Sequence, residues 1–363
     1  MRIVIISKNC YPSLGPRSHR TTELAKEFSK RGHDVTIYAL LGNHNYTNIS
    51  LETGIVFKSL GTSKLGVTDN LGYYNKSFWA KLIRKCFSKW LEIPNFELVS
   101  LVRKALSQES EIDYLITIAH PHTIHWGVAN YIQKNKSKIK FWVADCGDPY
   151  MNDPFNKHPW YFSYYEKKWN KICDYITVPI SNAKNAYYKP FIGKLKVIPQ
   201  GFNFNNVNLA KYKKNKIPTF AFAGNIYPGL RDIVLFLDYL LTLNINFHFI
   251  IYVKNPHIYK FYKDNLGDKL EIRKYIPREK LLFELSKMDF LINVKNISNV
   301  QQPSKLIDYT LTKRPILEIS SHFSEQKYFN EFVKGDYTNQ ISLKNIDVYN
   351  IRNVVDQFLN LNR

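Results

Sequence analysis

The fold of this 363-residue chain is decided by the stretch Gln302-Pro303-Ser304-Lys305-Leu306-Ile307-Asp308-Tyr309, which is followed by Lys313-Arg314-Pro315-Ile316-Leu317. The pattern predicts a loop, a short helix and a strand, because proline suits the first turn of a helix. Ser304 and Lys305 place a hydroxyl, a cation and free backbone N–H groups at the positive end of that helix, where anions bind well. Asp308 follows one turn later on the same face. The helix suits a nucleoside diphosphate, with phosphates at Lys305 and the ribose at Asp308. The alternative is an ordinary amphipathic helix on which Lys305 and Asp308 form a solvated charge pair.

Apolar runs of strand length alternate with helical segments twice along the chain. The chain opens with a strand, a loop of turn residues, a helix at Thr21–Lys30 and a second strand, which together form a βαβ unit. We therefore expect an α/β protein with two Rossmann-like, doubly wound domains that face each other across a cleft. The predicted strands are Arg2–Ser7, Val35–Leu40, Asp113–Ala119, Phe141–Cys146, Tyr175–Ile180 and Lys196–Pro199 in the first domain, then Thr219–Gly224, Phe247–Val253, Leu270–Ile276, Phe290–Lys295 and Pro315–Ser320 in the second.

A change in composition marks the predicted domain boundary. Residues 204–216 are rich in Asn and Lys and poor in apolar side chains, which is typical of a linker. We therefore assign residues 1–203 to an N-terminal domain and residues 217–345 to a C-terminal domain that would hold the diphosphate. Residues 346–363 are expected to form a C-terminal helix that packs back on the first domain.

Composition narrows the class of partner. The net charge of +21 implies an anionic one, which is nucleic acid, an acidic membrane surface or a phosphorylated substrate. The opening run Met1–Ser7 is too short for a signal peptide, and no stretch reaches the roughly 20 apolar residues of a membrane span, so we expect a soluble, cytoplasmic protein. The cysteines form no CxxC pair and have no histidine at ligand spacing, so we predict reduced thiols and no metal site. They are Cys10, Cys86, Cys146 and Cys173.

Residues 75–92 have the pattern of a basic amphipathic helix. Apolar side chains recur at helical spacing on one face, basic side chains occupy the other, and no acid occurs before Glu92. Such a helix either lies in a membrane interface, with tryptophans at the headgroup level, or simply covers the core of the first domain. A second aromatic and basic stretch, Pro159–Trp169, has the same two interpretations. The candidate membrane contacts are Trp79, Lys81, Arg84, Lys85 and Trp90.

Several short motifs occur in a specific order over nearly the whole chain. They are a Pro/Gly loop after the first strand, Glu23–Phe28, Gly32–Thr36, Ala144–Pro149, Cys173–Val178, Val197–Asn203, Gly224–Arg231 and Pro303–Tyr309 with Pro315. Each motif is weak alone, but their order and spacing resemble the GT-B glycosyltransferases. The resemblance is to family 4, the retaining, nucleotide-sugar-dependent branch that is common in bacterial polysaccharide synthesis.

The resemblance implies a role for individual residues of a donor site in the second domain. Arg231 would neutralise the donor diphosphate, Lys305 would contact a phosphate, and Asp308 would bind the ribose. Gly15, in the first domain, would let backbone N–H groups approach the sugar or phosphate. A UDP-sugar is the expected donor, and neither a cofactor nor a metal ion is expected. The donor-binding residues implied in this way are Gly15, Gly224, Asn225, Arg231, Gln302, Ser304, Lys305, Leu306 and Asp308.

Three positions depart from the family pattern. The first of the family's paired glutamates would fall near Val300, where residues 299–302 carry amides and a valine but no acid. Asn225 stands where the phosphate loop usually has its first basic residue, and Lys313 replaces a usual glycine. The contact to the hydroxyl groups of the donor sugar would therefore have to come from an amide.

Three histidines follow the predicted strand Asp113–Ala119 at its carboxyl end, where a ligand-binding residue belongs. His120, the closest to the strand, is predicted to orient or polarise the acceptor hydroxyl or the donor phosphate. His122 and Asp148 are candidates on the acceptor side, although His122 and His125 also fit ordinary loop histidines and Asp148 fits a turn cap. The predicted catalytic residues are His120, Arg231 and Lys305.

The predicted function is transfer of a sugar from a nucleoside-diphosphate sugar to a hydroxyl of a saccharide acceptor, with retention, in capsule or O-antigen synthesis. The charge and the tryptophans favour a lipid-pyrophosphate-linked acceptor at the inner face of the cell membrane. One alternative is a nucleotide-sugar 2-epimerase of the same fold, which needs no acceptor. A second is a basic nucleic-acid-binding protein, whose only support is the charge. The sequence has no zinc finger or RNP motif, so nucleic acid is not expected as a partner.

Overall fold

The computed structural model describes every residue except 14, 64–86, 154–155, 206, 225–231, 296–303 and 363. The chain divides into two compact units. The first unit comprises Met1–Asn203 together with Val348–Arg363, and the second unit comprises Phe204–Asp347. Each unit has a parallel sheet with helices between its strands, as the alternating pattern predicts.

The described strands of the first unit form a seven-stranded parallel sheet in the order β3-β2-β1-β4-β5-β6-β7. Its strands are β1 Arg2–Ser7, β2 Asp34–Ala39, β3 Val56–Ser59, β4 Tyr114–Ala119, β5 Trp142–Cys146, β6 Tyr175–Val178 and β7 Leu195–Val197. Its helices are α1 Pro16–Lys30, α2 Thr47–Thr53, α3 (residues 87–91), α4 Glu97–Ser107, α5 Thr123–Ile132, α6 Phe162–Ile172 and, at the end of the chain, α12 Ile351–Asn360.

Both faces of this sheet are buried, which is typical of parallel sheets. Successive residues of β1 point to opposite faces, so Ile3 and Ile5 join one apolar cluster while Val4 and Ile6 join another. The strand order reverses between β1 and β4, and ligands of doubly wound sheets bind at the carboxyl ends of strands at such a switch point. The loop before α1 and the histidines before α5 follow these two strands.

The C-terminal helix α12 belongs to the first unit and packs against α1. Val354, Val355 and Phe358 are fully buried there. The Tyr114 hydroxyl donates a hydrogen bond to the Phe358 carbonyl oxygen at 2.7 Å. The last helix therefore completes the core of the unit in which the chain begins.

The described strands of the second unit form a five-stranded parallel sheet in the order β10-β9-β8-β11-β12, with its switch point between β8 and β11. The rings of Phe249, Phe220 and Phe290 stack across β9, β8 and β11, with centroids 4.8 Å apart at each step. The strands are β8 Thr219–Ala223, β9 His248–Tyr252, β10 Leu270–Arg273, β11 Phe290–Val294 and β12 Ile316–Ile319. The helices are α7 Val234–Thr242, α8 Lys260–Leu266, α9 Arg278–Leu285, α10 Ser304–Leu311 and α11 Gln326–Lys334.

Two elements differ from the sequence-based prediction by more than a shift of a few residues at a strand end. Helix α1 begins at Pro16, five residues before the predicted start at Thr21, because Gly15 is its N-cap and a proline is well placed in the first turn. Strand β3 (Val56–Ser59) was not predicted, because it is an edge strand whose side chains are exposed or half-buried and show little apolar periodicity. The predicted amphipathic helix falls mostly on residues 64–86, outside the described part of the chain, and only residues 87–91 of it are seen to be helical.

Candidate active site

The second unit brings together two separate motifs of the predicted donor site. Helix α10 begins at Ser304, and the side chain of Lys305 extends to the carboxyl end of β8. A Cβ atom added to Gly224 would lie 1.5 Å from Lys305 Nζ, so only glycine leaves room for this ammonium group. Nζ also lies 4.9 Å from the centre of the Phe222 ring. A cation therefore stands at the switch point of the second sheet, next to the start of a helix.

Tyr309 fixes helix α10 to the strand that ends at this cation. The ladder between β8 and β11 covers only Phe220 and Ala221 of β8, so the last residues of β8 extend beyond it. The Tyr309 hydroxyl accepts a hydrogen bond from Ala223 N–H at 2.7 Å and donates one to the Ala223 carbonyl oxygen at 3.2 Å. Apart from its position next to Asp308, nothing in the sequence indicated a role for this buried tyrosine.

Asp308, predicted to bind the ribose, lies one turn after Lys305 and forms an ion pair with a residue of another helix. Arg278 on α9 donates from Nε at 2.8 Å and approaches the same oxygen, Oδ1, with Nη2 at 2.6 Å. The Asp308 side chain is one-fifth exposed. Arg278 holds the carboxylate in place, and sequence spacing alone did not indicate this partner.

The remaining predicted donor residues have different outcomes. Leu306 is half-buried and packs on the apolar cluster beneath α10. Gly15 is the N-cap of α1 with φ of −73°, and the nearest atom to an added Cβ, Ser18 Oγ, is 3.9 Å away, so the protein itself does not require glycine there. Asn225, Arg231 and Gln302 lie outside the described residues, and Ser304 is placed only as the first residue of α10.

The first unit contains an open polar pocket of about 700 Å³ near the carboxyl ends of β4 and β5. His120 and Asp148, both predicted from the sequence, line it. The imidazole of His120 lines the pocket. The surrounding protein shields the imidazole from water and lowers its pKa from 6.5, while the nearby Asp148 carboxylate acts to raise it. A neutral imidazole of this kind can accept a proton or a hydrogen bond from a hydroxyl group.

The structure distinguishes the three histidines. His120 reaches the pocket, whereas His122 and His125 are buried, with 2% and 0% of their surfaces exposed. His122 Nε2 donates to the Asp148 carbonyl oxygen at 3.1 Å, and the His122 ring packs behind the Tyr150 ring with centroids 5.1 Å apart. The prediction that His122 contacts the acceptor does not fit this position, because sequence distance from the strand gives no measure of burial.

Among the pocket residues that the sequence did not indicate are Glu92, Tyr150 and His158. The Tyr150 hydroxyl donates to Glu92 Oε1 at 2.9 Å, and His158 Nδ1 lies 3.4 Å from the same oxygen. The rings of Tyr150 and His158 stack with centroids 3.9 Å apart. Burial raises the pKa of Glu92, although the Tyr150 hydrogen bond opposes this, and burial lowers the pKa of His158. The half-buried His158 ring thus lies in the pocket beside hydrogen-bonding groups, with Tyr150 buried behind it.

A buried ion pair joins helix α1 to strand β5, whose carboxyl end lies near this pocket. Arg20 donates to both oxygens of Asp145, from Nη2 at 2.8 Å and from Nε at 3.2 Å. Burial alone would raise the pKa of Asp145, but the Arg20 and Arg17 guanidinium groups outweigh it and lower the pKa. A Cβ atom at Gly147 would lie 2.2 Å from Arg17 Cζ, so glycine allows Arg17 to cross the strand end. These two arginines form no motif in the sequence.

Of the predicted membrane contacts, only Trp90 lies in the described part of the chain; Trp79, Lys81, Arg84 and Lys85 fall outside it. Trp90 is 54% exposed, and Trp160 and Tyr164 of the second aromatic stretch are 81% and 65% exposed. The Tyr161 hydroxyl donates to the Trp90 carbonyl oxygen, which joins the two stretches. We call the exposed residues Phe87, Trp90, Leu91, Trp160 and Tyr164 the aromatic patch. The rest of the second stretch packs inward through Phe162 and Trp169.

No family model and no curated protein matches this sequence. Solved structures match it over nearly its full length. A glycosyltransferase from Rickettsia africae ESF-5 aligns with a TM-score of 0.65 at 12% identity, covering 99% of this chain and 97% of that one. HepE from Anabaena, in complex with UDP, aligns at 0.62 and 10% identity, covering 100% and 97%. TarM aligns at 0.62 and 11% identity, covering 100% and 99%.

Structural similarity at 10–12% sequence identity establishes the fold alone. The chain has the GT-B fold. The predicted fold class, two doubly wound α/β domains, is therefore confirmed. Within the GT-B fold, Lys305 and Gly224 lie at the switch point of the second sheet. In the first sheet, His120 follows β4 at the switch point and Asp148 follows the neighbouring strand β5. In the described part of the chain, no helix is both long and apolar enough to cross a membrane.

Proposed function

We propose that this protein is a nucleotide-sugar-dependent glycosyltransferase of the retaining family 4 type. The observation that carries the proposal is the position of Lys305 Nζ against Gly224, at the switch point of the second sheet and in the first turn of α10. Structures of glycosyltransferases share the fold over the whole chain. One such structure, HepE, holds UDP, and another of the same protein holds UDP-glucose. A UDP-sugar is accordingly the donor that we propose here.

The donor diphosphate would bind in the second unit. Lys305 and Arg231, with the N–H groups at the start of α10, would neutralise the charge that develops on the leaving phosphate, without a cofactor or a metal ion in the reaction. Asp308, held by Arg278, would accept hydrogen bonds from the ribose hydroxyls. Gly224, Asn225, Gln302 and Ser304 would provide the backbone and amide contacts around the phosphates and the sugar.

The acceptor saccharide would bind in the pocket of the first unit. His120 and Asp148 would orient its hydroxyl group, and the half-buried ring of His158, which stacks on the buried Tyr150, offers a face for a sugar ring. In the reaction, the acceptor oxygen forms a bond to the anomeric carbon while the bond to the diphosphate oxygen breaks. The diphosphate leaves with that electron pair and takes the hydroxyl proton. Attack and departure on one face of the sugar would retain its anomeric configuration.

We further propose that the protein works at the inner face of the cell membrane on a lipid-pyrophosphate-linked acceptor, in the synthesis of a bacterial surface polysaccharide. The aromatic patch offers side chains that suit the headgroup region. Lys89 and Lys167 lie in the same two stretches, and the whole chain carries a charge of +21. Anionic lipids attract such a surface by about 1 kcal/mol per basic residue near the membrane.

Nucleotide binding tests the donor site directly. Calorimetry with UDP, GDP, ADP, CMP and TDP should show binding of UDP to the wild type. Lys305→Ala should weaken it about tenfold or more, because a hydrogen bond to a charged group contributes about 1.5–3 kcal/mol. Lys280→Ala, which removes an exposed lysine of the same unit, is the matched control and should bind UDP normally. If the folded wild type binds none of the five nucleotides, the donor site is wrong.

Product analysis separates the transferase from the epimerase alternative. With a labelled UDP-sugar and a lipid extract, a transferase moves the label to a lipid-linked saccharide, and NMR of the product should show the donor's anomeric configuration. An epimerase would instead convert the sugar nucleotide with no acceptor present. Inversion at the anomeric carbon would contradict the retaining mechanism and leave the transferase activity standing.

Vesicle binding tests the membrane proposal separately. Vesicles with anionic phosphatidylglycerol should retain the wild type in a flotation assay, and Trp90→Glu with Trp160→Glu should abolish retention. Ile258→Glu with Phe261→Glu, which changes two exposed apolar residues of the second unit, is the matched control. Equal retention of both double variants would show that the aromatic patch does not contact the membrane.

A further inference from the structure

The fold of the first unit brings three metal-ligating side chains together in its interior. His122 and His125 lie at the start of α5, and Cys146 is the last residue of β5. Their exposed surface is 2%, 0% and 1%, respectively. One potential ligand atom from each of the three lies within 4.8 Å of those of the other two. The sequence did not indicate this cluster, because the cysteine is more than twenty residues from either histidine.

The hydrogen bonds of His122 leave one ring nitrogen available. Its Nε2 lies 3.1 Å from the Asp148 carbonyl oxygen, and a carbonyl oxygen can only accept, so Nε2 carries the proton. The lone pair is therefore on Nδ1, which is buried and has no hydrogen-bond partner among the described residues. Native proteins rarely leave such an atom unsatisfied. Metal-binding histidines have this arrangement, with one nitrogen donating to a backbone carbonyl and the other coordinating the ion.

His125 is oriented in a compatible way. Its Nδ1 lies 2.7 Å from the Thr117 hydroxyl oxygen, which also accepts a hydrogen bond from Trp142 Nε1 at 2.8 Å. A hydroxyl oxygen has two lone pairs, so His125 Nδ1–H can donate to it as well. The lone pair of Nε2 then faces Cys146 Sγ at 3.4 Å. This separation is close to the roughly 3.5 Å expected between a nitrogen and a sulfur atom bound tetrahedrally to one zinc ion.

We propose that His122, His125 and Cys146 bind one thiolate-seeking transition-metal ion, Zn²⁺ or Cu⁺. Two imidazoles with one thiolate form a ligand set that favours these ions over Mg²⁺ or Ca²⁺. On binding, the Cys146 thiol loses its proton to solvent, and the sulfur donates an electron pair to the ion. The three ligand atoms now lie within 4.8 Å of one another, and the widest separation has to close by at most about 1.5 Å to reach the distance between two ligand atoms of one tetrahedral ion. Since the cluster is buried, the ion would enter as the protein folds.

The ion would have a structural role next to the proposed acceptor pocket. It would tie the end of β5 to the start of α5, and His122 would pass this constraint to Asp148 through the hydrogen bond to its carbonyl oxygen. His120 and Asp148, which line the pocket, are each two residues from a ligand. The proposal needs no glycosyltransferase activity to be correct, because its test measures metal content.

The test measures zinc and copper by elemental analysis in full-length protein that has been expressed with added Zn²⁺ or Cu⁺ and dialysed against a chelator. We expect one ion per chain in the wild type and in Cys173→Ser, which changes another buried cysteine outside the cluster. Cys146→Ser and His122→Gln should lose the ion. A folded wild type with no stoichiometric metal would leave only a hydrogen-bonded cluster and would overturn the proposal.

A second measurement covers the case in which the cysteine variant does not fold. Refolding the wild type with Co²⁺ should produce the intense near-ultraviolet absorption of a cobalt–thiolate bond, and Cys173→Ser should produce it too. Stoichiometric cobalt without that absorption would place the ion on other residues. Retention of the ion by a folded Cys146→Ser would overturn the proposal in the same way.

Discussion

Gly224 has no Cβ atom, and the Lys305 ammonium group occupies the space that a Cβ atom would take. The backbone there has φ of +148°, which side chains rarely adopt, and an added Cβ would overlap Nζ. Because the obstructing atom is the end of a flexible side chain, the fold can tolerate the change, but the ammonium group cannot stay where it is. The position of the Lys305 ammonium group in the proposed donor site thus depends on Gly224, a residue without a side chain.

We predict that Gly224→Ala weakens UDP binding about tenfold or more while it costs only about 1–2 kcal/mol of stability. Calorimetry measures the first effect and urea unfolding the second. Gly335→Ala is the matched control, because Gly335 has φ of +88° and no atom within 4 Å of an added Cβ. It should lose similar stability and bind UDP normally. Equal UDP affinity in the two variants would mean that the displaced Lys305 does not contact the nucleotide.

Glu109 contributes to the stability of the first unit in a way whose dependence on pH has a definite sign. It is 3% exposed and interacts with Lys58 Nζ at 2.7 Å, with Arg2 and with the Tyr38 hydroxyl. Burial alone would raise its pKa, but the hydrogen bonds from Lys58 and Tyr38 outweigh burial and hold the pKa below its usual 4.5. A depressed pKa in the folded state contributes stability above the unfolded pKa, and this contribution is lost as the pH falls through the folded value.

Glu109→Gln should therefore reduce the free energy of unfolding at pH 7 by about 1.5–3 kcal/mol, the usual contribution of hydrogen bonds to a charged group. The difference from the wild type should narrow progressively below pH 4.5. Urea unfolding from pH 7 to pH 3 measures it. Glu111→Gln, at a side chain that is 68% exposed, is the control and should change little at any pH. A difference that does not depend on pH would show that the carboxylate charge is not the cause.

At the scale of elements, helix α10 is attached to strand β8 through one hydroxyl group. Tyr309→Phe removes the partner of Ala223 N–H and of the Ala223 carbonyl oxygen, beyond the end of the β8–β11 ladder. We expect a loss of about 1–3 kcal/mol in stability, since these backbone groups are buried. UDP affinity should also fall, because Lys305 is on the same helix. Tyr239→Phe is the control. It removes a half-buried hydroxyl that donates to Asn330 at 3.1 Å, and UDP affinity should not change.

The elements also show what the sequence predicts and what it does not. Buried strands such as Arg2–Ser7 are predictable because continuous apolar runs with turn residues at both ends have few other interpretations. The start of helix α10 at Ser304 is predictable because proline favours the first turn of a helix, and the anion site that we propose there is inferred from serine and lysine next to it. Partners distant in sequence are not: Arg278 reaches Asp308 only through the packing of two helices, and Glu92 joins Tyr150 and His158 only in the folded unit. Burial separates His120 from His122, although sequence spacing treats them alike.

At the scale of the whole molecule, the last helix of the chain belongs to the unit that contains the first strand. Phe358 on α12 is fully buried in the core of the first unit, and the Arg20 guanidinium lies 5.1 Å from its ring centre. Phe332 on α11 is 1% exposed in the core of the second unit. The two phenylalanines therefore form a matched pair, one in each core.

We predict that each truncation destabilises mainly the unit in which the phenylalanine is buried. Phe358→Ala should destabilise the first unit by about 3–5 kcal/mol, and Phe332→Ala should destabilise the second by a similar amount. Hydrogen exchange, read by mass spectrometry of peptides, should show faster exchange in β1 and β4 for Phe358→Ala and in β8 and β11 for Phe332→Ala. UDP should bind the first variant nearly as well as the wild type and the second more weakly, because the proposed donor residues Gly224 and Lys305 lie in the second unit. If Phe358→Ala accelerates exchange equally in both sheets, the two units unfold as one, and the division of the chain has no energetic counterpart.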